Sequence, residues 1–184
     1  EPTKRILSIV DRMDLMIAHL LDFLRYCLGR DIPLDRRQLD LADVCGRVAR
    51  TLSRSTGRTI TLDAGDGNNG LWDKARIEML VATLVTDAFD RDQSDRPVHV
   101  RVSGPNAELV RLEVSHHGTS AVDLLSLQMK SDNEDIEAEC TRLGLGMYVA
   151  RQIVRAHGGD IRVDASEADG TRFTVDLPRE LKAP

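Results

Sequence analysis

Aromatic residues are scarce in this chain, with three Phe, two Tyr and one Trp in 184 residues. So few rings (Phe23, Phe89, Phe173, Tyr26, Tyr148 and Trp72) exclude a platform for stacking nucleic-acid bases. Basic residues are outnumbered, 25 Lys and Arg against 30 Asp and Glu, which leaves a net charge of −5 and a pI near 5.5. That balance argues against a nucleic-acid partner, which requires a basic face. No apolar run approaches the roughly 20 residues that span a bilayer, and no secretory leader is visible, so no membrane contact by this segment is expected. Cysteine is also rare. Cys27, Cys45 and Cys140 are odd in number and lack metal-ligand spacing, so they are expected to be reduced thiols of a cytoplasmic protein. The chain opens on Glu1 rather than Met and is expected to be a piece of a longer one. What remains is an ordinary globular composition, 41% hydrophobic with 13 Gly, in a length suited to one domain and an appendage.

Residues 4–28 carry the clearest pattern. Ile6, Ile9, Met13, Met16, Leu20, Phe23 and Cys27 recur at alternating spacings of three and four, which is a heptad seam. Val10, Ile17, Leu21, Leu24 and Leu28 form a second stripe beside it. Two adjacent stripes are too wide for a two-stranded coil and suit a four-helix bundle. Gly29 and Pro33 end the helix. A lone helix cannot bury such a face, so it is expected to pair with a preceding helix, a second subunit, or both.

The remainder reads as one α/β domain. Leu34 to Leu41 is extended, and Asp40 caps a helix reaching about Leu52. Thr59–Asp63 is a strand followed by a Gly/Asn-rich turn over Gly65–Gly70. Asp73 caps a helix whose apolar positions include Ile77, Leu80, Val81, Leu84, Val85 and Ala88. Val98–Val102 and Leu109–Val114 alternate as a hairpin around Gly104. A polar stretch from Lys130 to Arg142 has no period. Leu145–Ala156 is helical and stops at Gly158-Gly159, and Asp160–Ala165 with Thr171–Leu177 form a second hairpin. This order predicts a two-layer α/β sandwich with its helices on one sheet face.

Four segments in this order resemble a sensor histidine kinase with a GHKL-type ATP-binding domain, over nearly the whole chain. Leu143-Gly-Leu-Gly-Met-Tyr-Val-Ala-Arg-Gln-Ile-Val-Arg-Ala-His-Gly-Gly159 resembles the family's second glycine box and the helix after it. Gly144 and Gly146 there let the backbone approach a polyphosphate, and the helix start supplies N–H donors. Thr83-Leu-Val-Thr-Asp-Ala-Phe-Asp-Arg91 resembles the N box. The resemblance implies Asp87 as the oxygen ligand of Mg²⁺ and Arg91 as the residue facing the phosphates. Thr83 stands where the family has an Asn or an acid. Glu113-Val-Ser-His-His-Gly-Thr-Ser120 lies where the first glycine box is expected. There His116 takes the place of the Asp that accepts from the adenine amino group, Gly118 remains, and Ser120 replaces the second glycine. A neutral imidazole at His116 either accepts a bond or presents a donor. Thr171, in Gly-Thr-Arg-Phe-Thr-Val, is similar to the Thr beside the adenine pocket. His116 and His117 are neighbours whose side chains point apart, so no structural metal is expected.

The same resemblance assigns residues 1–31 to the second helix of the dimerisation and phosphotransfer hairpin, 32–39 to a linker and 40–184 to the ATP-binding domain. The expected ligand is Mg-ATP, and the expected partners are a second copy joined through residues 4–28 and a response-regulator receiver domain. The phosphoacceptor motif of the family's first helix is absent. His19, at a heptad g position and semi-exposed, is the remaining candidate phosphoacceptor, with a structural role on the bundle flank as its alternative. The segment corresponding to the ATP lid has Lys130 and Asn133 in place of Phe. Its five acids, Asp132, Glu134, Asp135, Glu137 and Glu139, equal the excess of 30 acids over 25 bases in the whole chain. Carboxylates there repel a triphosphate. Arg142 replaces the first glycine of the second box and offers a guanidinium to phosphate. Three functions stay open: a signal-transducing kinase core with weakened or lost ATP binding, an active Mg-ATP-dependent histidine kinase, and a phosphotransferase or docking scaffold.

Overall fold

A computed structural model describes residues 2–27, 33–92, 94, 96–118, 144–166 and 170–180. Helix α1 (Pro2–Cys27) leads into β1 (Arg36–Asp40) and α2 (Leu41–Thr56). β2 (Ile60–Ala64), β3 (Asn69–Asp73) and α3 (Lys74–Arg91) follow, then β4 (Val98–Ser103) and β5 (Leu109–His116). α4 (Leu145–Ala156), β6 (Asp160–Ser166) and β7 (Gly170–Pro178) complete the order.

Five strands form one sheet in the order β2-β4-β5-β7-β6, antiparallel except for the β2–β4 pair, while β1 and β3 make a separate antiparallel ribbon. Alternation along β5 points Val110, Leu112, Val114 and His116 into the helix layer. Val98, Val100 and Val102 of β4 and Phe173, Val175 and Leu177 of β7 extend that inward row. They meet Ile77, Leu80, Leu84 and Ala88 of α3 and Ile153 and Val154 of α4 in one core. The opposite sheet face is polar. There Asp176 takes a bidentate pair from Arg111 at 2.7 and 2.9 Å and a third bond from Arg162 at 2.6 Å. The Arg111 hydrogen bond, which outweighs desolvation, holds the Asp176 carboxyl below the usual range. This is the two-layer sandwich with a long leading helix that the sequence predicts.

The helix caps were legible. Asp40 accepts from the Ala42 and Asp43 amides, and Asp73 accepts from that of Arg76. α2 runs one turn past Leu52 and ends at Gly57 in the left-handed region, φ 75°.

One segment departs from expectation. Gly65–Gly70 is not a turn throughout, because Asn69 and Gly70 already belong to β3, paired with Asp40 and Leu39. The cause is Trp72, buried to 1% exposure, whose indole N–H donates to the Pro178 carbonyl at 2.7 Å. Its ring covers the Gly70 Cα so closely that no Cβ fits there.

Candidate functional site

The motif residues lie on three elements: the C-terminal tip of β5, which meets the end of α3 through Gly118, and the start of α4, which meets α3 at Thr83 through Gly146. α4 begins at Gly144, held at φ 78°, an N-cap with no side chain of its own to accept from the first turn. That first turn presents amides and the positive end of a helix dipole. That geometry suits an anion.

The tip of β5 is woven tightly to its neighbours. The Thr171 hydroxyl donates to the Gly118 carbonyl at 2.9 Å. Gly118 packs on the backbone of Arg91 and Asp92, and a Cβ would collide with both. The Asp92 carboxylate accepts from the Ser94 amide at 2.9 Å and from the His117 amide at 3.1 Å. Burial raises the Asp92 pKa, but the bonds from Ser94 and His117 outweigh it and leave the carboxyl below its ordinary value. Asp92 was not among the expected site residues; its position directly after the N-box segment was the available signal.

His116 is 2% exposed and lies near-parallel to Phe173, with ring centroids 6.4 Å apart. Its Nδ1 accepts from the Gly118 amide at 3.2 Å. Desolvation lowers its pKa, against the opposing pull of Asp87 and Asp92, so the ring is neutral near pH 7. A neutral ring that accepts at Nδ1 carries its proton on Nε2. That Nε2–H is buried and has no partner among the described residues. The described bonds thus leave His116 with a donor at Nε2.

On α3, Arg91 Nε donates to Asp87 Oδ2 at 2.6 Å one turn away, with both side chains about three-quarters or more buried. The two residues proposed to face Mg²⁺ and phosphate are thus closed on each other.

His19 departs from the expectation of semi-exposure. It is 5% exposed because α1 docks on the helix layer, against Thr83 of α3. The Thr83 hydroxyl donates to the Met79 carbonyl, so its oxygen accepts from His19 Nε2–H at 2.8 Å. Desolvation lowers the His19 pKa, partly offset by Asp22. A Cβ at Gly146 would touch both His19 and Thr83, which brings the imidazole to the start of α4. Asp22 and Arg76 form a mostly buried ion pair below it, and Phe23 meets Tyr148 edge to face at 5.6 Å and 81°. Phe23 therefore leaves the expected seam and is half-buried in the core. Sequence reasoning missed this docking face. Its signal was the i, i+3, i+4, i+7 spacing of Leu15, Ala18, His19 and Asp22.

His157 and His99 serve structure. His157 Nε2 accepts from the Asp73 amide and Nδ1 donates to the Ile153 carbonyl, while His99 pairs with Thr61 across strands. A groove of about 550 Å³ between α1, α2 and α3, lined in part by Leu15, Leu52, Met79 and Phe89, uses another face of α3. Arg142, Ser120, Lys130, Asn133 and the five lid acids lie outside the described residues. Among the described residues no group of three His, Cys, Asp or Glu side chains could hold a metal, and no helix is long and apolar enough to cross a membrane.

The donor set fits Mg-ATP only in part. The start of α4 suits a polyphosphate, but the buried Nε2–H of His116 faces a donor with a donor if adenine's amino group lies there. Arg91 occupies Asp87 Oδ2, so a cation at that oxygen competes with the guanidinium.

A family model described as "Histidine kinase-, DNA gyrase B-, and HSP90-like ATPase" matches residues 72–181. The chain is 25% identical over 189 residues to the signal transduction histidine-protein kinase AfsQ2 of Streptomyces coelicolor, covering all of this chain and 34% of that protein. It is 24% identical over 173 residues to the alginate biosynthesis sensor protein KinB of Pseudomonas aeruginosa, covering 92% of this chain and 29% of that one. The chain thus spans about a third of the length of the curated relatives it matches. Among solved structures, Acinetobacter baumannii histidine kinase AdeS superposes with a TM-score of 0.68 at 16% identity, over 96% of this chain and 83% of that one. That likeness bears on the fold.

Proposed function

The chain belongs to the histidine kinase-, DNA gyrase B-, and HSP90-like ATPase family, and from that premise we propose that it is the C-terminal kinase core of a two-component sensor histidine kinase with weakened or lost ATP binding. Its work is signal transduction through α1, with the catalytic layer as a pseudokinase-like regulator. The closed pair of Asp87 and Arg91 at 2.6 Å carries this reading. Phosphoryl transfer relies on positioning and charge neutralisation, so a metal oxygen already neutralised by the phosphate-facing cation costs both at once. The five lid acids act in the same direction.

Within this reading Gly144, Gly146 and Arg142 form the phosphate end of the site, and His116, Gly118 and Thr171 its base end. Asp87 is the oxygen that Mg²⁺ would have to win. Residues 4–28 join a second copy and the hairpin's other helix in the cytoplasm, and a response-regulator receiver domain is the signalling partner. His19, engaged with Thr83, has a structural role rather than that of phosphoacceptor.

A glycine N-cap at the start of α4, with φ 78° at Gly144, favours a second reading, an active kinase in which Asp87 leaves Arg91 for Mg²⁺. Calorimetric titration with Mg-ATP separates the two. The proposal expects no binding in the micromolar range, and a micromolar Kd would overturn it.

A further inference from the structure

The base end of this site has a polarity of its own. His116 is the last residue of β5, on the strand face that looks into the helix layer, and Thr171 lies directly opposite it on β7. Both are more than nine-tenths buried. The Nδ1 bond from the Gly118 amide commits the imidazole proton to Nε2, and no described residue accepts it. An orphaned buried donor is costly and normally has a partner. The Thr171 hydroxyl spends its hydrogen on the Gly118 carbonyl, so toward a ligand its oxygen is an acceptor. The site therefore offers a donor and an acceptor side by side.

We propose that this end of the site reads a purine carrying an oxo group beside a ring N–H, as in inosine and guanine nucleotides, and discriminates against adenine. The 6-oxo group accepts from His116 Nε2–H, and the ring N1–H donates to Thr171 Oγ1. Adenine presents the inverse edge, an amino donor beside a ring acceptor, so both contacts are mismatched. Phe173, near-parallel to the imidazole, holds the ring plane in which Nε2–H is aimed. The inference rests on the reading of these residues as the base end of a nucleotide site and adds what that site selects.

Titration of this chain with Mg-ITP, Mg-GTP and Mg-ATP tests it, since inosine and adenosine differ chiefly at the 6-position. Tighter binding of Mg-ITP and Mg-GTP than of Mg-ATP, by about tenfold or more, is expected. The His116→Asp variant, which replaces the donor with an acceptor, is expected to reverse the order. If it does not fold, His116→Asn, whose amide presents either polarity, is expected to abolish the preference. Nitrogen-15 NMR of labelled histidine reads the tautomer directly, with a protonated Nε2 that shifts on adding Mg-ITP. A proton on Nδ1, or equal affinities for Mg-ITP and Mg-ATP, overturns the base preference. Micromolar binding of Mg-ATP also overturns the weakened-kinase reading, whereas weak and equal binding of all three overturns the preference alone.

Discussion

Three histidines, His19, His116 and His157, are each at least 95% buried in this fold, and desolvation lowers the pKa of all three from an ordinary 6.5. Each is neutral in the folded state and engaged at a defined nitrogen. The sign of the linkage follows. Above pH 6.5 neither folded nor unfolded chain binds the proton, so these groups leave stability unchanged. Between 6.5 and the lowered folded values the unfolded chain binds protons that the folded chain refuses, so stability falls with acidification. Each group contributes a slope of about 1.4 kcal/mol per pH unit, or about 4 kcal/mol per unit if all three act together. Asp92 and Asp176, held below 3.8, keep their contribution until the pH falls through that lower range, outside this window. Urea unfolding between pH 7.5 and 5.5 is expected to show a midpoint that drops steadily below about 6.5; a flat midpoint would contradict the neutral assignments. At the same scale, Cys45 is sealed in the core with its thiol pushed up to about 12 by burial, which suits a packing residue rather than a nucleophile.

At the scale of elements, α1 has two working faces, and sequence periodicity disclosed only one. Ile6, Ile9, Met13, Met16 and Leu20 of the heptad seam, with Val10, Ile17, Leu21 and Leu24 beside them, are all exposed by 47% or more. So broad an apolar surface on one helix is the face that the proposed bundle would use for association. The other face mixes His19 and Asp22 with Leu15 and Ala18, and a search for apolar spacing passes over it because polar side chains buried in pairs look like solvent positions. β3 was hidden for a related reason. Glycine and asparagine in 65–70 signal a turn, while the strand depends on Trp72 finding Pro178 more than a hundred residues away. The two faces of α1 separate experimentally. Leu20→Asp is expected to abolish self-association in sedimentation while leaving α1 docked. Asp22→Ala strands Arg76 in a mostly buried site, costs about 3 kcal/mol of docking, and raises hydrogen exchange in residues 15–23 without affecting association. Unchanged sedimentation of Leu20→Asp would remove the bundle role from this face.

At the scale of the whole molecule, the sandwich was legible and the site was not, for a physical reason. Caps, alternation and apolar periods are local, and apart from β3 they place the strands and helices to within about a turn. The state of the site depends on which nitrogen of His116 the Gly118 amide reaches and on Arg91 closing onto Asp87, which no spacing reveals. The joining of the two sheets is likewise a long-range matter. β1 and β3 share no ladder with the five-stranded sheet, yet the Arg179 guanidinium bonds the carbonyls of Gly67, Asn69 and Asn106, at 2.5, 2.7 and 3.2 Å. Its backbone adds bonds from the Leu71 amide and to the Glu108 carbonyl, and Gly104 is bare because Gly67 and the guanidinium occupy the space of a Cβ. One side chain thus ties the loop before β3 to the β4–β5 turn. Lys at this position cannot reproduce a planar fork of donors, so charge alone does not rescue it. Arg179→Ala and Arg179→Lys are both expected to cost about 1–2 kcal/mol. The cost should appear as faster amide exchange in 36–40 and 69–73, with β4, β5 and β7 still protected. Because α3 starts from Asp73 at the end of β3, loosening the ribbon should also mobilise the first turn of the helix that carries Asp87 and Arg91 at its far end. Exchange that rises equally across both sheets would mean that Arg179 stabilises the fold globally rather than joining two parts of it.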